Sequence, residues 1–433
     1  MCALPFDHPQ PSAQNIAIIG GGISGLAAAW ALSPHHKITL FEAQERIGGH
    51  ARTVVAGRRG DQPVDTGFIV FNYATYPHLT GLFRDLDIPV ERSDMSFGVS
   101  LEGGKVELGF HSAGGIFAQR TNLFRPSIYA MIKDILTYNK DAEAAVRAHP
   151  GLTIGALLDQ LGLGQAFRTY YLYPMCAAIW STPPQDIEGF PAEALIRFMR
   201  NHALMSVGHH HPWWTVKGGS QTYVKALVKA LDARGVEMRV NCPITSVRRD
   251  TMGVSVKTAR AEVEVFDQVI FACHSDEALQ ALKDPSPAEH KALSAVRFQD
   301  NHAVLHCDPQ VMPKRRACWC SWVYQTPAGH DPAQPVGVSY WMNRLQNIPD
   351  DDPMFVTLNP VHEIAPERIY DQVTFRHPVF DQGGLQAQDD LRALQGQNRT
   401  WFAGAWLRNG FHEDGFASAM RIARQLNRNE ALL

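Results

Sequence analysis

Residues 15–32 constrain this chain more than any other stretch. Ile16-Ala17-Ile18-Ile19 is an apolar run of strand length, Gly20-Gly21-Gly22-Ile23-Ser24-Gly25 is a glycine turn, and Leu26-Ala27-Ala28-Ala29-Trp30-Ala31-Leu32 is a helix of small residues. Gly20, Gly22 and Gly25 fill the frame G-x-G-x-x-G. In such a unit the first glycine permits the turn, the second lets backbone approach a pyrophosphate, and the third lets helix pack close to strand. The helix start, at Ile23 and Ser24, offers N–H groups and a partial positive charge to phosphate. A second apolar strand, Lys37-Ile38-Thr39-Leu40-Phe41, ends at Glu42. An acid about 20 residues beyond the turn is placed to accept from ribose hydroxyls, and its charge disfavours a 2′-phosphate. These signals predict an α/β fold that binds a dinucleotide.

Residues 16–32 carry no charge, as a signal peptide or membrane span would. The glycine cluster inside the run and the lack of a basic region before it argue against both. The leader Met1–Gln14, with Pro5, Pro9 and Pro11, reads as a short flexible tail. The 433 residues allow two or three domains. A hydrophobic content of 45%, a charged content of 19% and a net charge of −3 suit a globular enzyme and give no support for nucleic-acid binding. The seven cysteines form no C-x-x-C pair, which fits reduced thiols in the cytoplasm. Cys318-Trp319-Cys320 alternates like a strand, so both thiols would pack on one face. His209-His210-His211 cannot easily all face one ion and has no spaced partners, so a loop is expected there and no metal site.

Further along, Val64-Asp65-Thr66-Gly67-Phe68-Ile69-Val70-Phe71-Asn72 is strand-like and broken by Gly67. From Leu82 to Pro212 the pattern is mainly helical. Ile128, Met131, Ile132, Ile135 and Leu136 recur at the spacing of one apolar helix face. Trp213-Trp214-Thr215-Val216-Lys217-Gly218-Gly219-Ser220 then changes the pattern, and a helix through Val224, Leu227, Val228 and Leu231 stops near Gly235. Short strands follow at Val236–Val240, Ile244–Val247, Val254–Lys257, Ala261–Val265 and Gln268–Ala272. Near the C-terminus, Arg399-Thr400-Trp401-Phe402-Ala403-Gly404-Ala405-Trp406 enters a glycine turn, and Gly410-Phe411-His412-Glu413-Asp414-Gly415-Phe416-Ala417 opens a last helix.

These motifs resemble the flavin-dependent amine oxidase superfamily, which includes phytoene-desaturase-like enzymes. The resemblance rests on Gly20–Gly25, on Glu42-Ala43 leading into Arg46-Ile47-Gly48-Gly49-His50-Ala51-Arg52-Thr53, on residues 213–274, and on residues 399–426. It implies a mixed α/β fold: a Rossmann-type FAD-binding domain of discontinuous segments (15–80, 214–285 and 372–433) and a substrate domain of helices and sheet (81–213 and 286–371). It further implies that Glu42, Ala43, Gly48 and Gly49 wrap the adenosine and pyrophosphate of FAD. The family's arginine after the glycine pair is His50 here, so charge toward phosphate would come from Arg46 or Arg52. Gly67, Phe68, Ile69 and Val70 would pass the flavin ring, Ile244 would pack its backbone on adenine, and Gly404-Ala405 would approach the pyrophosphate and ribityl chain. Backbone N–H groups around Asp414, Gly415, Phe416 and Ala417 would stabilise negative charge on the reduced ring. No Cys follows Cys320, so FAD is expected to be non-covalent.

Within the superfamily, Asp65–Asn72, Trp319–Trp322 and Gly410–Gly415 resemble a bacterial subgroup associated with cyclopropane and furan fatty acid modification, whose genes often neighbour cyclopropane-fatty-acid-synthase-like methyltransferases. The expected activity is oxidation of an unsaturated or methylated fatty acyl chain, including one in phospholipid, by hydride transfer to flavin N5. An amine oxidase acting on a small amine and a non-redox lipid carrier on the same fold are the alternatives. Tyr340, His377 and Glu413 are the candidate catalytic side chains. The expected location is the cytoplasm, including the inner face of the membrane. Residues 194–231 hold no Asp or Glu but carry Arg197, Arg200, Lys217, Lys225 and Lys229 beside Trp213-Trp214, a composition suited to an anionic membrane surface.

Overall fold

The computed structural model describes residues 13–180, 187–201, 204–205, 211–329 and 336–427. Most of the leader, and His209 and His210 of the histidine triplet, lie outside them. The chain forms two compact units, one of residues 1–50, 223–296 and 386–433, the other of residues 51–222 and 297–385.

The first unit is built on a five-stranded sheet. Its order is Glu237–Arg239, Lys37–Phe41, Asn15–Ile19, Gln268–Phe271 and Thr400–Phe402, with every neighbour parallel. Ile16, Ile18, Leu40, Val269, Ile270 and Phe271 are all buried, the near-continuous apolar pattern of strands covered on both faces. Helix Ile23–Leu32 crosses from the first strand to the second. Helix His412–Leu426 follows the last strand and packs along that first helix. An antiparallel meander of Ile244–Arg249, Val254–Thr258 and Val263–Phe266 completes the unit.

The second unit holds a seven-stranded sheet. Its order is Ile369–Val379, Arg297–His306, Phe355–Leu358, Gly337–Trp341, Trp322–Gln325, Phe97–Leu101 and Val106–Gly109. A smaller sheet sets Trp213–Val216 between Val70–Phe71 and Val90–Ser93, and Thr53–Ala56 pairs with Gln62–Asp65. The long helix is Pro126–Ala148.

Three sequence expectations change here. The described residues of 82–212 are mainly helical as expected, but Val90–Ser93, Phe97–Leu101 and Val106–Gly109 are strands, held by partners more than a hundred residues away in two of the three cases. Cys318-Trp319-Cys320 is a tight turn rather than a strand. Cys318 Sγ meets the Gly115 carbonyl at 3.6 Å, and Cys320 Sγ lies 3.3 Å from His111 Nδ1. Residues 51–80, 214–222 and 372–385, expected with the dinucleotide domain, cluster with the second unit, and residues 286–296 cluster with the first; Val70–Phe71 pairs with Trp213–Val216, and Ile369–Val379 with Arg297–His306.

Candidate cofactor site

The site in the first unit begins at the end of the Asn15–Ile19 strand. Gly20 turns the chain at φ +113°, and a Cβ there would lie 2.7 Å from the Ala272 carbonyl oxygen. Its N–H donates to the Phe41 carbonyl at 2.8 Å, tying the turn to the second strand. Gly25 is the tightest position, since a Cβ there would stand 1.9 Å from the Gly20 oxygen. Gly22 differs from both: a Cβ there would meet only Gly49 Cα, at 3.9 Å. Open space thus remains in front of the helix start. No side chain caps that start, and its first turn holds no acid. The first helical bond runs from Leu26 N–H to the Gly22 carbonyl, so the earlier N–H groups point out of the helix.

Glu42 folds back on this turn. Its carboxylate accepts from Gly21 N–H at 2.7 Å and from Gln44 N–H at 2.8 Å. The Gly48-Gly49 loop closes over the same point, with Gly48 N–H on the Gly21 carbonyl at 2.9 Å. Beyond Glu42 the chain runs beside Arg239–Cys242, and Cys242 N–H donates to the Glu42 carbonyl at 2.9 Å. Ala43 is exposed there, and Ile244 begins the neighbouring meander half-buried.

Of the two arginines expected to supply charge, only Arg46 is in this loop. Its guanidinium donates to the Gly49 carbonyl at 2.6 Å. Arg52 belongs to the second unit, where Asp371 binds it through two bonds of 2.6 and 3.1 Å. His50 stands in a setting that nothing local in sequence signals. Its ring lies 6.4 Å from that of His274, and burial, His274 and Arg46 push its pKa down to about 4. His412 is lowered further, to about 3, by burial and by His50, and its Nε2 lies 2.6 Å from the Tyr223 hydroxyl. The position after the glycine pair thus carries a buried ring whose protonation is disfavoured.

The C-terminal signature arrives at the same turn. A Cβ on Gly415 would meet Ser24 Oγ at 2.7 Å, Ile23 Cγ2 at 3.0 Å and Ala405 N at 3.6 Å. Ser418 Oγ accepts from Gly404 N–H at 3.0 Å and donates to the Gly415 carbonyl at 2.6 Å. Gly20–Gly25, Gly404-Ala405 and Gly415 are thus brought together from opposite ends of the chain.

The expected use of amides at 415–417 needs correction. The helix begins at His412, three residues early, and Gly415 N–H already donates to the Phe411 carbonyl at 3.2 Å. Phe416 and Ala417 lie deeper in the helix, so outward donors at its start belong to His412 and Glu413. The reason is Asp414. Its carboxylate reaches back to Phe411 N–H at 3.0 Å and Asn409 N–H at 3.3 Å, and burial raises its pKa to about 6.

In the second unit, Gly67 and Phe68 are half-buried, while Ile69 and Val70 are buried in one apolar cluster with Met342, Leu345 and Val356. Trp213, Trp322, Tyr340 and Tyr370 pack against that cluster. Tyr340 also packs against Phe375, two residues before His377 and so on the same strand face. Two candidate catalytic residues therefore share one sheet face. Burial pushes the Tyr340 phenol up, and Asn301 Nδ2 lies 3.2 Å from His377 Nδ1. Glu413, the third candidate, is buried in the first unit.

The sequence reading missed the group that anchors this segment. Buried Asp65 accepts from Ser220 N–H at 2.9 Å, Ser220 Oγ at 2.7 Å, Thr53 Oγ1 at 2.6 Å and Gln346 Nε2 at 2.8 Å. Its pKa still rises to about 6, because burial outweighs those bonds. Trp213 and Trp214, expected at a membrane surface, are half-buried in a central strand, with Tyr73 and Arg92 against the Trp214 ring. Arg197 and Arg200 pair with Glu193 and Glu143. Among the described residues no group of His, Cys, Asp and Glu could hold a metal ion. No helix among them is long and apolar enough to cross a membrane.

The profile of the flavin containing amine oxidoreductases matches residues 23–427. The chain belongs to that family. It is 25% identical over 297 residues to a hydroxyneurosporene desaturase of Cereibacter sphaeroides, covering 59% of this chain and 55% of the relative. It is 24% identical over 311 residues to the protoporphyrinogen oxidase of Bos taurus, covering 65% and 63%. The matches thus span less than two thirds of these relatives' length. The fold is similar to that of the CLA-producing fatty acid isomerase from P. acnes, with a TM-score of 0.68, 15% identity and coverage of 95% and 98%. It is similar also to a putrescine oxidase, with a TM-score of 0.67, 14% identity and coverage of 96% and 99%.

FAD is the cofactor of this family member, and the residues present fit it. The open space at Gly22 and the uncapped helix start suit a pyrophosphate. Glu42 keeps further lone pairs for ribose hydroxyls beyond its two backbone bonds.

Proposed function

We propose that this chain is an FAD-dependent oxidoreductase acting on a fatty acyl chain, unsaturated or methylated. Bound FAD supplies the hydride acceptor for a C–H bond of the substrate. The chain's own contribution is to hold and orient. Gly20, Gly22, Gly25, Gly48 and Gly49 shape the phosphate cradle, Glu42 addresses the ribose, Arg46 fixes the loop, and Asp414 sets the start of the last helix.

The observation behind the substrate class is a set of four partly exposed aromatic side chains, Trp213, Trp322, Tyr340 and Tyr370, that flank the buried apolar cluster of Ile69 and Val70. Such a surface suits a hydrocarbon chain and excludes water. A small amine would need an aromatic cage with a basic residue near flavin N5, or a carboxylate to hold its ammonium. Asp65, the buried carboxylate of this region, has both oxygens taken by Ser220, Thr53 and Gln346. Similarity to a desaturase and to the fold of a fatty acid isomerase is in keeping with the acyl reading.

The test is anaerobic mixing of the purified yellow protein with candidate substrates, followed by absorbance in the flavin bands. Acyl lipids should bleach it, and putrescine and related amines should not. Bleaching by amines alone would overturn the acyl reading. A companion measurement compares membrane fatty acid profiles with and without the gene, beside a neighbouring cyclopropane-fatty-acid-synthase-like methyltransferase. A changed profile is expected.

A further inference from the structure

The second unit carries a segment of exposed apolar side chains interspersed with cations. Four of the ten exposed large hydrophobic side chains among the described residues fall between positions 123 and 136: Leu123 at 46%, Phe124 at 86%, Tyr129 at 50% and Leu136 at 55% exposure. Isolated exposed hydrophobics are ordinary, but a cluster in one short segment is not. Leu123 and Phe124 end a tight turn, Arg120–Phe124, and the helix Pro126–Ala148 follows at once. The turn is rigid. Asn122 is buried, its Nδ2 donating to the Ile116 carbonyl at 2.9 Å, and Tyr129 hydroxyl donates to the Leu123 carbonyl at 2.9 Å. Phe124 is therefore held outward by a built turn.

The helix continues the surface. Tyr129, Lys133, Leu136 and Lys140 are all exposed and recur at the spacing of one helix face. The opposite face, with Ile128, Met131, Tyr138, Ala142 and Val146, is buried. Between residues 120 and 140 the cations are Arg120, Arg125, Lys133 and Lys140, and Asp134 is the only acid. Asp134 is occupied by Gly164 N–H at 2.9 Å. Aromatic and aliphatic tips among cations, on an element with its other face in the core, match the interface of an anionic bilayer.

We propose that Leu123, Phe124, Tyr129 and Leu136, with Arg120, Lys133 and Lys140, form a docking surface for a membrane with anionic headgroups. The apolar tips enter the headgroup boundary and the cations lie at headgroup level. This docking does not depend on which substrate the enzyme takes.

The experiment is co-sedimentation of the FAD-loaded protein with vesicles of phosphatidylcholine alone or mixed with phosphatidylglycerol. The protein should pellet with the mixed vesicles, at least roughly tenfold more strongly than with phosphatidylcholine, and added salt should release it. The double variant Leu123→Ser with Phe124→Ser should lose roughly tenfold or more in binding while keeping its flavin spectrum. Lys133→Gln with Lys140→Gln should lose the preference for phosphatidylglycerol. Phe124→Trp, which keeps the apolar tip, should bind and shift its fluorescence to the blue on mixed vesicles. Equal pelleting of wild type and the double serine variant would overturn the proposal. So would a wild type that ignores both vesicles, or a double serine variant that binds vesicles normally but loses self-association, which would assign the patch to a second copy of the chain.

Discussion

At the scale of single residues, the three glycines of the first turn have different tasks, and substitution should separate them. A Cβ at Gly25 collides with backbone at 1.9 Å, which no rotamer can relieve. Gly25→Ala should therefore cost stability, by about 1–3 kcal/mol or more as overpacking does, and lose FAD as well. Gly22→Ala meets nothing closer than 3.9 Å and keeps an ordinary φ of −75°. It should lower the urea-denaturation stability of the apoprotein by no more than about 1 kcal/mol, the cost of Ala at a helix N-cap, yet fill the space left for the pyrophosphate. FAD titration beside urea denaturation of both variants checks this. Equal FAD affinity in Gly22→Ala and wild type would remove Gly22 from the cradle. Asp65 is a second case. Asp65→Asn would turn an amide toward donors from Ser220, Thr53 and Gln346 and should cost about 1–3 kcal/mol in urea denaturation.

At the scale of elements, periodicity located the long helix but misjudged its buried side. Ile128 and Met131 are buried as expected, while Leu136 is exposed and Tyr138, Ala142 and Val146 continue the core face. An i, i+3, i+4 pattern cannot say where a stripe ends when alanines and a tyrosine can serve the core as well as leucine can. The last helix shows a different limit. Its start is decided by Asp414 reaching back to Asn409 and Phe411, and that shifts the outward amides to His412 and Glu413. Asp414→Ala should destabilise the chain by about 1 kcal/mol, the usual cost of losing such a cap, and weaken FAD binding through the misplaced helix start. Thermal denaturation and FAD titration read the two effects separately. Asp414→Glu should recover neither fully if the reach to both amides is what matters.

At the scale of the whole molecule, buried titratable groups set how stability depends on pH. His50 and His306 have their pKa values pushed down to about 4 and His412 to about 3, with burial the largest cause in each. His306 is held neutral, its Nδ1 accepting from Asp308 N–H and its Nε2 facing Thr357 Oγ1. Between pH about 6.5 and 4 the unfolded chain binds protons on these rings that the folded chain refuses, so they favour folding at higher pH. Asp65 and Asp414, both raised to about 6, act in the opposite sense, since the folded chain holds their protons up to that pH. His36 and the carboxylates of Glu143, Glu237 and Glu289, all lowered as well, act in the same sense as the three rings and outweigh the two raised carboxyls. Apparent stability should rise from pH about 4.5 to 6. Asp65→Asn should steepen the slope and His306→Gln should flatten it. Denaturation across that range is the measurement, and a slope falling with pH would contradict the balance. The sequence by itself determined the strand, turn and helix at residues 15–32, the acid at Glu42 and the glycine elements at both ends, and hence a dinucleotide fold and FAD. Those signals are local: glycine at a turn, apolar alternation and an acid at a strand end act within a few residues of each other. Only the tertiary structure decided that Gly415 sits on Ser24, that Arg46 rather than Arg52 stays at the loop, that Asp65 anchors Ser220 and Gln346, and that Phe124 faces outward. Those outcomes join residues up to several hundred positions apart, where packing and burial choose the partner and no local pattern records the choice.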